Sequence, residues 1–173
     1  MSWMGLDIGT SGCKAVAFDA DGRTLAAARR EYRTLMPAAG CAELDSHEVL
    51  EACLAVIAEA AEQCRRGDPV RGIGVSSQGE AFTAVAADGT ILTRALVSFD
   101  TPASGLAEAW PAAFGRQRLY TITGHTAHPM FTLFKLLWLR HHQPDVWRRA
   151  AQFHCFEDLL HRRLGLQPAM SYL

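Results

Sequence analysis

Gly5-Leu6-Asp7-Ile8-Gly9-Thr10-Ser11-Gly12-Cys13-Lys14 decides how the rest of the chain is read. Leu6 and Ile8 belong to a short apolar strand over residues 3–8. Gly9 and Gly12 let the backbone turn sharply, so that successive N–H groups can converge on an anion. Thr10 and Ser11 add hydroxyl donors, and Lys14 adds a positive charge. Asp7 ends the apolar strand with a carboxylate that is costly to bury unless paired or metal-bound. Together these groups suit a phosphate held beside Mg²⁺, with the cation near Asp7 through waters. The run is neither G-x-x-x-x-G-K-[ST] nor G-x-G-x-x-G, and it leads into a strand instead of a helix. An ordinary hairpin turn with a polar cap fits the same residues, and loop composition leaves both readings open.

Outward from that loop, residues 15–18 form a second strand. Asp19-Ala20-Asp21-Gly22 is a hairpin turn in which Gly22 takes positive φ. A third strand over residues 24–32 completes three antiparallel strands. Asp45-Ser46-His47-Glu48 announces a helix, because an acceptor side chain with Glu three residues later satisfies orphan amides. Val49, Leu50, Cys53, Leu54, Ile57 and Ala61 keep its 3.6-residue period. Arg65, Arg66 and Gly67 supply a cationic last turn and a stop.

Residues 73–76 read as a short buried strand, parallel to its neighbour because a helical crossover leads to it. Residues 81–87 and 90–97 form a hairpin about Asp88-Gly89. In the last third, Leu133, Leu136, Leu137 and Arg140 share one helix face ending before Gln143-Pro144. A helical turn at residues 145–149, a strand at 152–156 and a helix over 157–164 closed by Gly165 follow. Met170-Ser171-Tyr172-Leu173 reads as the start of another strand. No linker or low-complexity stretch divides residues 1–173, and the order βββαβ is α/β without matching a regular βαβαβα nucleotide fold.

The chain has 173 residues, 49% of them hydrophobic and 20% charged, which excludes a disordered or collagen-like protein. Lys plus Arg number 17 against 18 Asp plus Glu, so the basic excess of a nucleic-acid binder is missing. Apolar stretches such as residues 54–58 and 136–139 fall far below the roughly 18 residues of a membrane span. The opening Met1-Ser2-Trp3-Met4-Gly5 lacks the pattern of a signal peptide. Five cysteines without a C-x-x-C pair argue against a disulfide framework or a zinc ribbon. Cys53 and Cys64 read as small buried hydrophobes, and a cytoplasmic protein without membrane or nucleic-acid partner is expected.

At the glycine loop the sequence resembles the first phosphate loop of the FGGY carbohydrate kinases, which include glycerol, xylulose and gluconate kinases. The resemblance runs on through Gly72-Ile73-Gly74-Val75-Ser76-Ser77-Gln78-Gly79-Glu80 and Ser98-Phe99-Asp100. It continues in Ile122-Thr123-Gly124, Lys135-Leu136-Leu137-Trp138 and Phe156-Glu157-Asp158-Leu159-Leu160. Collinear matches at these places are far more specific than any one of them. The resemblance implies an actin/hexokinase-like ATPase lobe with a ribonuclease-H-like mixed sheet, a βββαβ core flanked by helices. It implies Mg²⁺ organised by Asp7, ATP approached through Gly9, Thr10, Ser11 and Lys14, and sugar hydroxyls contacted by Gln78, Gly79, Glu80 and Asp100. Buried acids and amides suit that task, because they fix a polyol by hydrogen bonds.

The acceptor loop departs from its relatives, since xylulose kinases carry Gln-Met-His-Gly and glycerol kinases Asn-Gln-Arg-Glu where this chain has Ser77-Gln78-Gly79-Glu80. Thr101 replaces the basic residue that often follows the Asp. His128-Pro129-Met130 is similar to a gluconate kinase segment, and His128 and Phe131 join the expected sugar pocket. The acceptor is therefore a sugar, a polyol or a sugar acid. A metal site at His125, His128, His141 and His142 lacks a third ligand of suitable spacing, and these read as loop and helix-end histidines. Arg140, Arg148, Arg149, Arg162 and Arg163 read as solvated helix ends.

The resemblance places the catalytic base and the adenosine-binding lobe beyond Leu173. The expectation is thus most of the N-terminal lobe of a carbohydrate kinase, inactive alone, with an apolar face that allows self-association as a homodimer. The alternative is a non-catalytic ligand-binding or regulatory module on an actin-like lobe. A ribonuclease-H-like nuclease would need more clustered acids than Asp7 and Asp100 offer.

Overall fold

The computed structural model describes residues 1–64, 67–97 and 102–169. In chain order the elements are β1 (Ser2–Ile8), β2 (Gly12–Phe18), β3 (Thr24–Glu31), β4 (Glu43–Leu44), α1 (Ser46–Cys64) and β5 (Val70–Ser77). They continue with β6 (Thr83–Val85), β7 (Ala95–Leu96), α2 (Ser104–Phe114), α3 (Arg116–Thr123), α4 (Thr132–His142), α5 (Pro144–Arg149), β8 (Gln152–His154) and α6 (Phe156–Arg163). The main sheet is mixed, in the order β3-β2-β1-β5, and two short pairs, β4-β7 and β6-β8, complete the strands. The expected βββαβ core with flanking helices is what forms. Two compact units divide the chain.

The first unit holds Met1–Thr34, Leu44–Gln78 and the described residues from His154 on. In β1 the side chains alternate strictly, so Met4, Leu6 and Ile8 are buried while Trp3, Gly5 and Asp7 face outward. Ala15, Ala17, Ala26 and Ala28 floor the same buried side on β2 and β3, where small side chains let α1 lie close. Gly22 turns at φ 81, with Asp19 Oδ1 accepting from the amides of Asp21 and Arg23 at 2.9 Å each. Asp45 Oδ1 caps α1, accepting from His47 N at 2.9 Å and Glu48 N at 3.2 Å. The fully buried stripe of α1 is Val49, Leu50, Cys53, Val56, Ala60 and Cys64. Leu54, Ile57 and Ala61, expected at its centre, flank it and are half-buried. Arg65 and Arg66 lie outside the described residues, as do Met170 to Leu173.

Two strand expectations need correcting. The crossover through α1 does make β5 parallel to β1, but β5 is not a buried strand. It lies at the end of the strand order, and Ile73 is 41% exposed. Its apolar residues read as two-sided burial because an edge strand carries the same β-branched run as a central one. Asp7 likewise bears no burial cost, because it points from the sheet's open side and is exposed.

In the second unit, Leu35–Glu43 and Gly79–Phe153, the Asp88-Gly89 turn forms with Gly89 at φ 91 and Asp88 Oδ1 accepting from Thr90 N at 2.9 Å. That amide holds the Asp88 carboxyl below its ordinary range. Regular pairing around the turn is shorter than expected, carried by Val85 opposite Ile91 and Phe82 opposite Leu96. The helices α2 and α3, separated by Gly115 at φ 99, were not expected from the pattern. A small core of Ala103, Ala107 and Phe134 gathers Trp110, Phe131, Leu137 and Trp138 around it. Helix α4 ends at Gln143 before Pro144 as expected, but its buried residues are Phe134, Lys135 and Leu139. Leu133, expected inside, is 40% exposed. The helix is rotated because Lys135 is drawn inward, its ammonium bonded to main-chain carbonyls. After β8, α6 ends at Gly165 with φ 76.

Candidate functional site

In the first unit, Ile8 on β1 pairs with Cys13 on β2, leaving residues 9–12 as a four-residue hairpin loop. Three of its four carbonyls are bonded to the scaffold. Gly12 O accepts from Gly9 N at 2.9 Å, and Ser11 O accepts from Tyr32 N at 3.2 Å. Gly9 O accepts twice, from Tyr32 Oη at 2.6 Å and from Gln78 Nε2 at 3.0 Å. Among the described residues, the amides of Thr10 and Ser11 have no such partner. Two successive N–H groups without a protein acceptor are donors available to an anion. The backbone is also tightly hemmed in. A Cβ on Gly12 would stand 2.5 Å from Arg30 O, and one on Gly9 would stand 3.2 Å from Gly12 O.

Asp7 lies directly across from Lys14 on β2 and Ser76 on β5, and Lys14 lies across from Arg29 on β3. These four exposed residues make a polar row on the sheet's open side, at the loop's end of the strands. Gln78, expected on the sugar, turns its amide to the loop: Nε2 holds Gly9 O, and Oε1 is buried without a partner among the described residues. Its main-chain N donates to Ile8 O at 2.8 Å, so the residue after β5 is tied once to the end of β1 and once to the loop.

Tyr32 is the residue the sequence did not single out here. It is buried, and burial, reinforced by the thiols of Cys53 and Cys13 and the charge of Asp7, pushes its phenol well above the ordinary range. Its O–H therefore stays a donor to Gly9. The thiol of Cys53, shared with Cys13 and shut away from water, is likewise pushed far up.

In the second unit, Glu80 is the one non-glycine with positive φ among the described residues, at 63°. Both its ends are held. Its Oε2 accepts from the amide and, at 2.6 Å, the hydroxyl of Thr132 at the start of α4. Its carbonyl accepts from Lys135 Nζ, which also donates to Val97 O at 3.2 Å. Glu80 Oε1 has no partner among the described residues. Phe131 immediately precedes α4, its ring 5.2 Å from His125 and 6.4 Å from His128. The start of α4 thus gathers Glu80, Phe131 and His128, three of the expected sugar contacts. His128 is exposed and also lines a cavity of about 320 Å³ with Ser104, Glu108 and Arg116. Gly79 is exposed, with nothing near a Cβ placed there. Asp100 lies outside the described residues. Among those residues no three His, Cys, Asp or Glu side chains gather to hold a metal ion, and no helix is long and apolar enough to cross a membrane.

The sequence profile of the FGGY family of carbohydrate kinases, N-terminal domain, matches residues 2–169. The chain is 32% identical over 154 residues to the L-xylulose/3-keto-L-gulonate kinase of Escherichia coli, covering 88% of this chain and 30% of that protein. It is 32% identical over 149 residues to the glycerol kinase of Methylibium petroleiphilum, covering 85% of this chain and 30% of that one. The solved gluconate kinase of Lactobacillus acidophilus superposes with a TM-score of 0.85 at 25% identity, over 94% of this chain and 32% of its own. The chain thus spans about a third of the length of the relatives it matches.

Proposed function

Since the chain belongs to the FGGY family of carbohydrate kinases, we propose that it supplies the phosphate loop and part of the acceptor wall of an enzyme that moves the terminal phosphoryl of ATP onto a hydroxyl of a sugar, polyol or sugar acid. The observation that carries this reading is the loop of residues 9–12, three of whose carbonyls are anchored and whose Thr10 and Ser11 amides have no partner among the described residues.

Phosphoryl transfer asks little covalent chemistry of a protein and depends on positioning and on stabilising charge over the transferred group. The free amides and hydroxyls of Thr10 and Ser11 donate to phosphate oxygens. Gly9 and Gly12 keep the loop thin enough for close approach, and Lys14 adds positive charge at its edge. Gln78 and Tyr32 act through Gly9 as struts, which makes Gln78 a part of the phosphate loop more than of the sugar pocket. Glu80 Oε1, His128 and Phe131 offer an acceptor one carboxylate oxygen, one imidazole and one aromatic face, with Gly79 beside them and Asp100 expected to join.

The donor set fits Mg²⁺-ATP. Asp7 is an exposed hard oxygen ligand beside that loop, and as a lone carboxylate it suits a cation that keeps its waters and nucleotide oxygens. When bound, Mg²⁺ neutralises charge on the phosphates, and Asp7 with its water shell would hold it. The group that orients the attacking hydroxyl is expected outside these residues, in the part of the relatives the chain does not span. The five cysteines stand as thiols and not as disulfides, which suits a reducing cytoplasm.

The test is ADP release by the full-length protein, measured against a panel of glycerol, xylulose, xylulose-like ketoses and aldonic acids. At least one acceptor should raise ATP turnover far above the rate without acceptor. A flat panel, with ligand binding still detectable by calorimetry, would favour a non-catalytic binding module.

A further inference from the structure

Lys135 is completely buried, in the middle of a helix whose buried side would accept a leucine at no electrostatic cost. Its ammonium lies 5.9 Å from the centre of the Phe82 ring and joins two carbonyls distant in sequence, those of Glu80 and Val97. Glu80 occupies the left-handed region, which costs a non-glycine residue roughly 1 kcal/mol and persists only where its surroundings hold it. Two residues hold it: Lys135 at the carbonyl and Thr132 at the carboxylate.

Resting on the kinase reading, we propose that Lys135 and Thr132 are positioning residues for the acceptor. They clamp Glu80 by both ends so that its Oε1, without a partner among the described residues, is presented at the start of α4 in one fixed direction. The clamp explains why a cation is buried here and why Glu80 tolerates its backbone. One Oε lone-pair set is neutralised by the helix amide and hydroxyl, and the other is left for a ligand hydroxyl. Lys135 also ties the strand end at Val97, which leads toward Asp100, to the same turn.

The experiment uses the full-length protein with the substitutions Lys135→Met, Thr132→Val and Glu80→Gly, and the pair Lys135→Met with Glu80→Gly. Steady-state kinetics with the best acceptor and hydrogen exchange of the peptide covering residues 79–84 are the readouts. Lys135→Met should raise the acceptor KM at least tenfold while the ATP KM stays within twofold, and should speed exchange in that peptide. Thr132→Val should raise the acceptor KM severalfold in the same pattern. Adding Lys135→Met to Glu80→Gly should change the acceptor KM less than twofold, since the clamp has lost its object.

An unchanged acceptor KM in folded Lys135→Met, or equal rises in both KM values, would overturn the proposal. If Lys135→Met does not fold, Thr132→Val decides by the same criterion. If the wild type turns over no acceptor, the kinase reading fails on its own. Exchange in residues 79–84 then decides the clamp: unaltered exchange in both variants overturns it, and faster exchange supports it.

Discussion

Residues 9–12 and residues 79–80 are both sharp turns at strand ends, each held by side chains distant in sequence, yet they differ in where the crowding falls. In the first, backbone meets backbone so closely that Gly12 has no room for a methyl group, and main-chain bonds close the loop. In the second, Gly79 stands in open space, and the strain falls on Glu80, which has a full side chain. There the shape is imposed by distant side chains, Lys135 and Thr132. The difference suits what each turn is asked to bind. A phosphate takes backbone amides and any sequence that clears space for them, whereas an acceptor must be told from its analogues by placed side chains.

The sharpest break of this comparison is at the glycines. Gly12→Val drives a side chain into the Arg30 carbonyl and should cost roughly 3 kcal/mol of stability, whereas Gly79→Ala should stay within about 0.5 kcal/mol. Urea midpoints of the two variants check this, and comparable losses would erase the distinction between the turns.

Next in size is Glu80. Glu80→Ala loses charge-assisted bonds to Thr132 but keeps the left-handed backbone, for a loss of about 2 kcal/mol. Glu80→Gly should lose about 1 kcal/mol less, because glycine carries no penalty at φ 63. Equal losses in thermal unfolding would show that the turn is unstrained.

Tyr32→Phe removes one of two donors to Gly9 O and should cost about 1 kcal/mol. Combined with Gln78→Leu, the loss should exceed the sum of the single losses, since only the double variant leaves that carbonyl without either donor. Additive losses in denaturant titrations would mean that the struts act independently.

The smallest effect concerns His154, whose buried ring is held below its ordinary pKa by desolvation, with Asp158 opposing and Arg162 reinforcing the shift. The unfolded chain then binds a proton at higher pH than the native one. This contribution is fully present above about pH 6.5 and is lost as pH falls below it. His154→Gln should flatten the slope of stability below about pH 6.5. A slope unchanged by the substitution would place its origin elsewhere.

What the sequence made legible follows the same division. The first three strands, the α1 cap at Asp45 and the parallel β5 are encoded locally, by period, turn residues and an N-cap, and they form in the structure. The loop of residues 9–12 was legible because glycines advertise themselves. Tyr32 was not, because its hydroxyl reaches Gly9 across 23 positions from the end of a strand pattern. Helix α2 escaped notice because Gly105 and Pro111 interrupt its pattern, although tertiary packing of Trp110 against Phe134 overrides that weakness. The face of α4 was misread for a related reason. Period places leucines inward, and only the distant carbonyls of Glu80 and Val97 explain why a lysine takes that position.

If the loop of residues 9–12, with Asp7 beside it, holds the terminal phosphate of a nucleotide, Asp7→Asn must disturb Mg²⁺-dependent turnover. Steady-state kinetics of Asp7→Asn in the full-length protein, with Mg²⁺ and ATP varied at saturating acceptor, should show a fall in kcat on the order of 100-fold, with more Mg²⁺ needed for half-maximal rate and an unchanged acceptor KM. A variant with wild-type kcat and wild-type Mg²⁺ dependence would remove the loop from the chemistry.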